Sequence, residues 1–245
     1  MIRMICPLFI IGFFTSLAGT LAGGGGLIGM PAMMLYGIPV HTIIAANKFS
    51  NTISSFSSFF VLLKGKNIHL KDALLIIPFA ISGGMTGALF ASMINERLMT
   101  VIAVILLLCA LGLQFLKKPS LGKNEANQIP KKVYPLLFGI GVYDGMFGPG
   151  QATLNMQVYF HQGFSYLKTI AFTRFQTFLS CFGAFVMYLG SGLVNWHIAL
   201  SLACGSILGA QMSIRIAKKI KASQAIWIVR GITILIIGQL IYSLL

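Results

Sequence analysis

The chain has few charged residues and very few acidic ones. Of its 245 residues, only 9% are Asp, Glu, Lys or Arg, and just four are acidic. Soluble domains contain about 25% charged residues. The longest polar stretch runs from Lys117 to Lys132, which excludes a sizeable soluble domain. The four cysteines form no CxxC pair and have no metal-ligand spacing, so we expect no metal and no cofactor.

Long apolar runs dominate what is present. Hydrophobic residues make up 57% of the chain, and the mean hydropathy is +0.88. Several runs approach or exceed the ~20 residues that span a bilayer as a helix, which predicts an all-α polytopic membrane protein. The net charge is +14, but the basic residues cluster between the apolar runs. This placement is typical of membrane topology, so we expect lipid as a partner and no nucleic acid.

The sequence matches itself without a gap when it is shifted by 126 residues. Identical residues coincide in many places, for example Gly19 with Gly145, Gly24 with Gly150, Met30 with Met156, Gly37 with Gly163, Ser54 with Ser180 and Gly83 with Gly209. The absence of gaps indicates a duplication. We therefore predict a first transmembrane repeat over 1–116, a connector over 117–132 and a second transmembrane repeat over 133–245.

Each half contains five apolar pieces. They cover roughly 4–20, 25–38, 42–63, 73–93 and 98–116 in the first half, and 133–147, 151–162, 168–190, 197–217 and 224–244 in the second. The second piece of each half is short and begins with Gly or Pro. Such pieces at equivalent positions predict short broken or re-entrant helices at a transport site. The pattern does not decide whether the first two pieces of each half cross fully or re-enter.

Basic loops predict the orientation of the halves. Segment 64–72 is basic, whereas its counterpart 190–197 has no Lys or Arg, and segment 218–221 is basic, whereas its counterpart 95–97 is nearly neutral. Basic loops remain on the cytoplasmic side. We therefore place 64–72, 117–132 and 218–221 in the cytoplasm, with both termini outside a cell (inner or plasma) membrane. The two repeats are then inverted relative to each other.

Two cations lie inside apolar segments. Lys48 and Arg174 are related by the 126-residue shift. A charge within the bilayer is costly, so it usually faces a cavity, a partner or a substrate. Polar candidates on the same helix faces are Asn47, Asn51, Thr173 and Thr177. Helix packing is the alternative; it accounts for the nearby serines but not for the two cations, so we favour a substrate pathway that attracts an anion.

Glycine-rich turns precede both cationic helices. One contains Gly23 to Gly26, and the other runs from Gly145 to Gly150. Successive free N–H groups in such turns, followed by a helix N-terminus, can bind an anion. The candidate residues are Gly24, Gly25, Gly26, Gly150 and Gln151. Tight helix crossing is the alternative reading of each turn.

Asp144 is the only acidic residue within an apolar segment. One interpretation is a structural ion pair with Arg174 or Lys48. The other is a proton carrier, since carboxylates inside membrane proteins form proton relays. The sequence leaves both open.

These motifs resemble the TauE/SafE sulfite-exporter family of membrane permeases over nearly the whole chain. The first-half motif runs from Ala22 to Pro31, followed by Ala46-Asn47-Lys48, and the second runs from Asp144 to Gly150, followed by Thr173-Arg174. The resemblance implies transport of small sulfur-containing anions such as sulfite or sulfonates, or of small carboxylates. Where family members often have a lysine, this chain has Arg174, whose planar fork suits an oxyanion.

The functional prediction is a secondary transporter that couples anion movement to protons by alternating access between the two halves. A passive anion channel is the main alternative. An intramembrane enzyme is disfavoured because no nucleophile–base pair or metal cluster has suitable spacing. The sequence leaves open the anion, the direction of transport, the coupling ion and whether the chain forms a homo-oligomer.

Overall fold

The computed structural model describes residues 2–65, 73–116 and 129–219, together with positions 224, 227, 231 and 234. Within the three continuous ranges the chain is all-α, with one short 3₁₀ turn at Lys131–Val133 and no strand. The helices are α1 (Ile2–Ala22), α2 (Gly25–Leu35), α3 (Val40–Lys64), α4 (Ile76–Ser92), α5 (Glu96–Leu116), α6 (Tyr134–Met146), α7 (Gln151–His161), α8 (Tyr166–Gly190) and α9 (Trp196–Ala217).

Every predicted apolar piece in the continuously described ranges coincides with one of these helices. The tenth piece, 224–244, lies outside the described residues except for four single positions. Residues 66–72, 117–128 and 220–221 of the basic segments also lie outside them, so the predicted topology rests on sequence alone. Among the described residues, three helical stretches are long and apolar enough to cross a membrane, namely Met4–Ala22, Tyr166–Gly190 and Trp196–Ala217.

The second piece of each half is a short helix, as predicted. Both α2 and α7 contain 11 residues, a length of about 16 Å at 1.5 Å per residue. The hydrocarbon core of a bilayer is ~30 Å thick. Neither helix is therefore long enough to cross it alone.

The two short helices end in the same way. Gly37 after α2 has φ of 70°, and Gly163 after α7 has φ of 84°. Each donates its N–H to a carbonyl three residues earlier, at 2.8 Å and 2.9 Å respectively. Glycine adopts this left-handed conformation without a steric penalty and commonly terminates helices. Glycines 126 residues apart therefore end the two short helices.

The helix contacts made by the first half of the chain match those made by the second half. α1 packs on α9 and α6 on α4, while α3 packs on both α8 and α9 and α8 packs on α4 as well. Small residues allow helices to cross closely. A Cβ on Gly209 would lie 2.9 Å from the carbonyl carbon of Phe13, and a Cβ on Gly84 would lie 2.8 Å from the carbonyl carbon of Ser180. The cationic helices α3 and α8 thus lie in contact at the centre.

The buried apolar residues form two clusters, and α3 contributes to both. Ile43 and Ile44 belong to one cluster, whereas Phe59 and Leu62 belong to the other. Between them lies the polar stretch of α3, which includes Lys48 and four fully buried serines. The helix therefore holds its polar residues in the interior, between two hydrophobic regions.

Candidate functional site

A small cavity of about 30 Å³ lies where both short helices begin. A single water occupies roughly 10–15 Å³ of such space, so the cavity suits a small solute. Its walls come from α1, α2, α3, α6, α7 and α8 and from the turn between α6 and α7. The lining residues are Thr15, Gly19, Gly23, Gly25, Gly26, Asn47, Lys48, Asn51, Asp144, Phe147, Gly148, Gln151, Ala152, Arg174 and Thr177.

Glycines bring the two helix starts into contact. A Cβ on Gly23 would lie 2.6 Å from the carbonyl carbon of Ala152, and one on Gly26 would lie 2.6 Å from the Cα of Pro149. Both contacts are with main chain or a rigid ring, which cannot move aside as a flexible side chain would. Gly23 also has φ of 76°, a conformation that suits glycine. The first glycine turn is therefore shaped to fit against the second.

The N-termini of α2 and α7 have no side-chain caps. The N-cap residues are Gly24 and Gly150, and neither helix start receives a side-chain hydrogen bond. The first N–H groups of a helix have no partner within it, and they carry partial positive charge. Two uncapped starts at one cavity therefore form an environment that favours an anion.

Lys48 and Asp144 form a buried ion pair at the cavity wall. The Lys48 Nζ lies 2.8 Å from Asp144 Oδ1 and also donates to the Asp144 main-chain carbonyl. The other carboxylate oxygen accepts hydrogen bonds from the Ser180 hydroxyl and the Cys181 thiol. The pair joins α3 to α6, and thus the first half of the chain to the second. Of the two ion-pair partners considered from sequence, Lys48 is the one that binds Asp144.

Gly148, which lies in the second glycine turn, leaves room for the Lys48–Asp144 pair. A Cβ at this position would lie 2.7 Å from the Lys48 Nζ and 3.1 Å from Asp144 Oδ1. Any larger residue would therefore displace the ammonium or the carboxylate.

Arg174 has no acidic partner within the described residues. Its side chain is 2% exposed. Its Nη2 donates to Ser54 Oγ at 3.2 Å, while its Nε has no hydrogen-bond partner. A buried cation is strongly unfavourable unless a charge or polar groups compensate it. Its guanidinium lines the cavity, so an anion there would supply the compensation.

Other buried polar atoms at the cavity also have no partner in the described structure. They are Thr15 Oγ1 and Gln151 Nε2, whose residues are 3% and 2% exposed. The side-chain amide oxygen of Gln151, in contrast, accepts a hydrogen bond from Thr177 Oγ1 at 3.2 Å. The amide nitrogen is thus left available to donate to a bound anion. Buried polar groups normally find partners, and a ligand in the cavity could supply partners for both atoms.

Most of the residues predicted from sequence are brought together here. The cavity is lined by Lys48, Arg174, Asn47, Asn51, Gly25, Gly26, Gln151, Thr177 and Asp144. Gly24, Gly150 and Thr173 do not line it. The two glycines are the N-caps of α2 and α7, and Thr173 is buried, with its carbonyl accepting from Thr177 Oγ1 at 2.8 Å. In the part of the chain that the structure describes, no three His, Cys, Asp or Glu residues could hold a metal.

Several residues at the site were not among the substrate-binding candidates named from sequence. Thr15 and Phe147 line the cavity, and Gly148 lies against the ion pair. Ser54 and Ser180 each contact a buried charge. These two serines are 126 residues apart, so the repeat itself was the available signal. Thr15 lies beside Ser16 in a mostly apolar helix and gave no comparable signal.

Comparison with known proteins assigns the chain to a family. The family model described as "Sulfite exporter TauE/SafE" matches residues 8–240. The chain belongs to the TauE/SafE sulfite exporter family. The resemblance inferred from its motifs is confirmed.

Curated relatives of this family are named as transporters. The chain is 33% identical over 222 residues to "Probable membrane transporter protein ORF9" of Sinorhizobium sp, covering 88% of this chain and 84% of that protein. It is 31% identical over 218 residues to a probable membrane transporter protein of Haemophilus influenzae, covering 86% and 84%. It is 30% identical over 225 residues to "Probable membrane transporter protein YfcA" of Escherichia coli K12, covering 87% and 82%.

No solved structure gives a significant match to the chain. The family and the names of its relatives support a multi-pass membrane transporter and do not point to an enzyme. The names of these relatives specify no substrate.

Proposed function

We propose that this family member is a secondary transporter of small sulfur-containing or carboxylate anions, such as sulfite or sulfonates. The observation that carries this proposal is Arg174, a buried guanidinium at a cavity without an acidic partner among the described residues. Two uncapped helix N-termini at the same cavity add to its positive potential. A planar guanidinium matches two oxygens of an oxyanion. The small volume favours a compact substrate.

In alternating access, repeats 1–116 and 133–245 would move relative to each other. The two repeats would have inverted orientations. The equivalent packing of α1 on α9 and of α6 on α4 supports such a pseudo-symmetry, and so do the basic segments on one predicted side. Connector 117–132 would lie in the cytoplasm, and the termini would lie outside the inner or plasma membrane. Both hydrogen-bonded charge contacts, Lys48 with Asp144 and Arg174 with Ser54, join the two halves.

Asp144 is the proposed proton carrier. Protonation of its carboxylate would remove the negative charge that now binds Lys48, and it would free the ammonium for the substrate. Asn47, Asn51, Gln151 and Thr177 would then supply hydrogen bonds. Anion binding and proton binding would favour each other in this arrangement, which is the requirement for symport.

Uptake into proteoliposomes tests the site. Arg174→Ala and Lys48→Ala should each abolish saturable uptake of the transported anion, chosen from a panel of sulfite, sulfonates, thiosulfate and small carboxylates. Arg215→Ala is the matched control, because Arg215 is an exposed cation on α9. The site assignment is wrong if both cavity variants retain saturable uptake.

An imposed proton gradient tests the mechanism. With only this gradient present, a proton-coupled transporter accumulates the anion above its outside concentration, whereas a passive channel only equilibrates it. Asp144→Asn should remove accumulation driven by the proton gradient. A variant that still accumulates the anion would contradict the role of Asp144.

A further inference from the structure

Among the residues that the structure describes, three formal charges line the cavity. They are the ammonium of Lys48, the guanidinium of Arg174 and the carboxylate of Asp144, and the other lining residues are uncharged. With all three groups ionised, the site carries one net positive charge. One bound monovalent anion would make it neutral.

Burial makes this balance of charge important. The three residues are only 2–3% exposed, so solvent screens their charges weakly. A divalent anion would leave one negative charge without a counter-charge in an environment of low dielectric, which is costly. The two helix N-termini add partial positive charge. They are the same for every anion and in every variant below, so comparisons between variants depend on the formal charges.

The acid is present in one half only. The residue that corresponds to Asp144 in the first half, 126 positions earlier, is Ala18, which is buried in α1. The two cations, in contrast, are both retained. Without Asp144 the same cavity would carry two net positive charges, so a single unpaired substitution sets the charge of the site.

We infer that Asp144 determines the valence of the substrate, favouring monovalent over divalent anions. This inference rests on the proposed function and adds to it the charge of the transported species. While Asp144 is ionised, its carboxylate neutralises Lys48 and leaves Arg174 as the one cation for the substrate. Only its protonation in the transport cycle would add Lys48. The pair Lys48–Asp144 is then a selectivity device as well as a structural contact between halves.

Methanesulfonate and sulfate are suitable probes, since both are small tetrahedral oxyanions that differ mainly in charge and do not titrate near neutral pH. Their binding to the purified full-length protein in detergent is measured by isothermal titration calorimetry at a single neutral pH. Equilibrium binding in detergent is chosen because it does not depend on membrane potential, and the fixed pH keeps the proton concentration the same for every variant. We expect the unaltered protein to bind methanesulfonate more tightly than sulfate.

Asp144→Asn raises the net charge of the site by one. The ratio of sulfate to methanesulfonate affinity should increase roughly tenfold or more, the size expected for one extra unit charge within several ångströms in a partly buried site. The double variant Lys48→Met/Asp144→Asn returns the net charge to its original value, so its ratio should return close to that of the unaltered protein. Arg215→Met removes an exposed cation of α9 that does not line the cavity, and its ratio should not change.

Thermal unfolding verifies that each variant is folded. If Asp144→Asn does not fold, Lys48→Met provides the second test, because it lowers the net charge to zero and should weaken methanesulfonate binding at least tenfold relative to the double variant. The inference alone would be overturned if the folded Asp144→Asn variant and the unaltered protein had the same ratio of sulfate to methanesulfonate affinity. It would also be overturned if Lys48→Met and the double variant bound methanesulfonate equally tightly. Absence of binding of either probe to the unaltered protein would contradict the proposed anion site itself, and the inference with it.

Discussion

Separating the Lys48–Asp144 pair should destabilise the protein strongly, whereas removing both charges should not. The side chains are 2% and 4% exposed, so each charge depends on the other for compensation. Removing one partner of a buried pair typically costs about 3–5 kcal/mol, while replacing both with neutral groups of similar shape is often neutral. We therefore expect Lys48→Met and Asp144→Asn to be destabilised and the double variant to be close to the unaltered protein.

The contacts around the pair refine the magnitude. In Lys48→Met the carboxylate retains the hydroxyl of Ser180 and the thiol of Cys181 as donors. In Asp144→Asn the ammonium retains the main-chain carbonyl of residue 144. Both losses should therefore lie near 3 kcal/mol, the lower end of the range. At 2–4 °C per kcal/mol for a chain of this size, the midpoint of thermal unfolding should fall by roughly 6–12 °C.

Thermal unfolding in detergent, followed by circular dichroism, measures this effect across the double-mutant cycle. Arg215→Met on the exposed face of α9 serves as the control for loss of a cation. The reasoning would be refuted if either single variant unfolded within about 2 °C of the unaltered protein. It would also be refuted if the double variant were as unstable as the less stable single variant.

Three further predictions concern the fold around the site. Gly23→Ala should abolish uptake and lower the unfolding midpoint, because its Cβ would meet the main chain of α7. The control is Gly37→Ala, which has a similar positive φ but open surroundings, so its unfolding midpoint should fall only by the cost of backbone strain. Glu96→Gln should destabilise the protein by about 1 kcal/mol in denaturant or thermal unfolding, since its carboxylate accepts from the first N–H groups of α3 and pairs with a histidine there. Gly84→Ala should lower the midpoint by separating α4 from α8, whereas Gly112→Ala, which meets nothing within 4 Å, should leave it unchanged.

The positions of the helices were predictable from sequence because they depend on local properties. An apolar run of sufficient length forms a helix wherever it lies in a membrane protein. The glycines at 37 and 163 stop their helices through their own backbone conformation. The duplication likewise related Lys48 to Arg174 before any distance was known, since it is a property of residue order alone.

The partners of the charges were not predictable in this way. Asp144 is 30 residues from Arg174 and 96 from Lys48, yet it pairs with the more distant cation. The role of Gly148 could not be read either, because its lack of a side chain matters only where two charges approach it in space.

The sequence by itself determined that this chain is a helical membrane protein whose halves match each other at a shift of 126 residues, each with one cation inside an apolar segment. Residue order and composition suffice for that, since hydrophobic length and charge act along the chain. Only the tertiary structure decided which cation is neutralised and which remains available to a ligand. That choice depends on how α3, α6 and α8 pack against one another, and so on contacts between residues far apart in sequence. In this protein the packing of these helices pairs Lys48 with Asp144 and leaves Arg174 at the cavity.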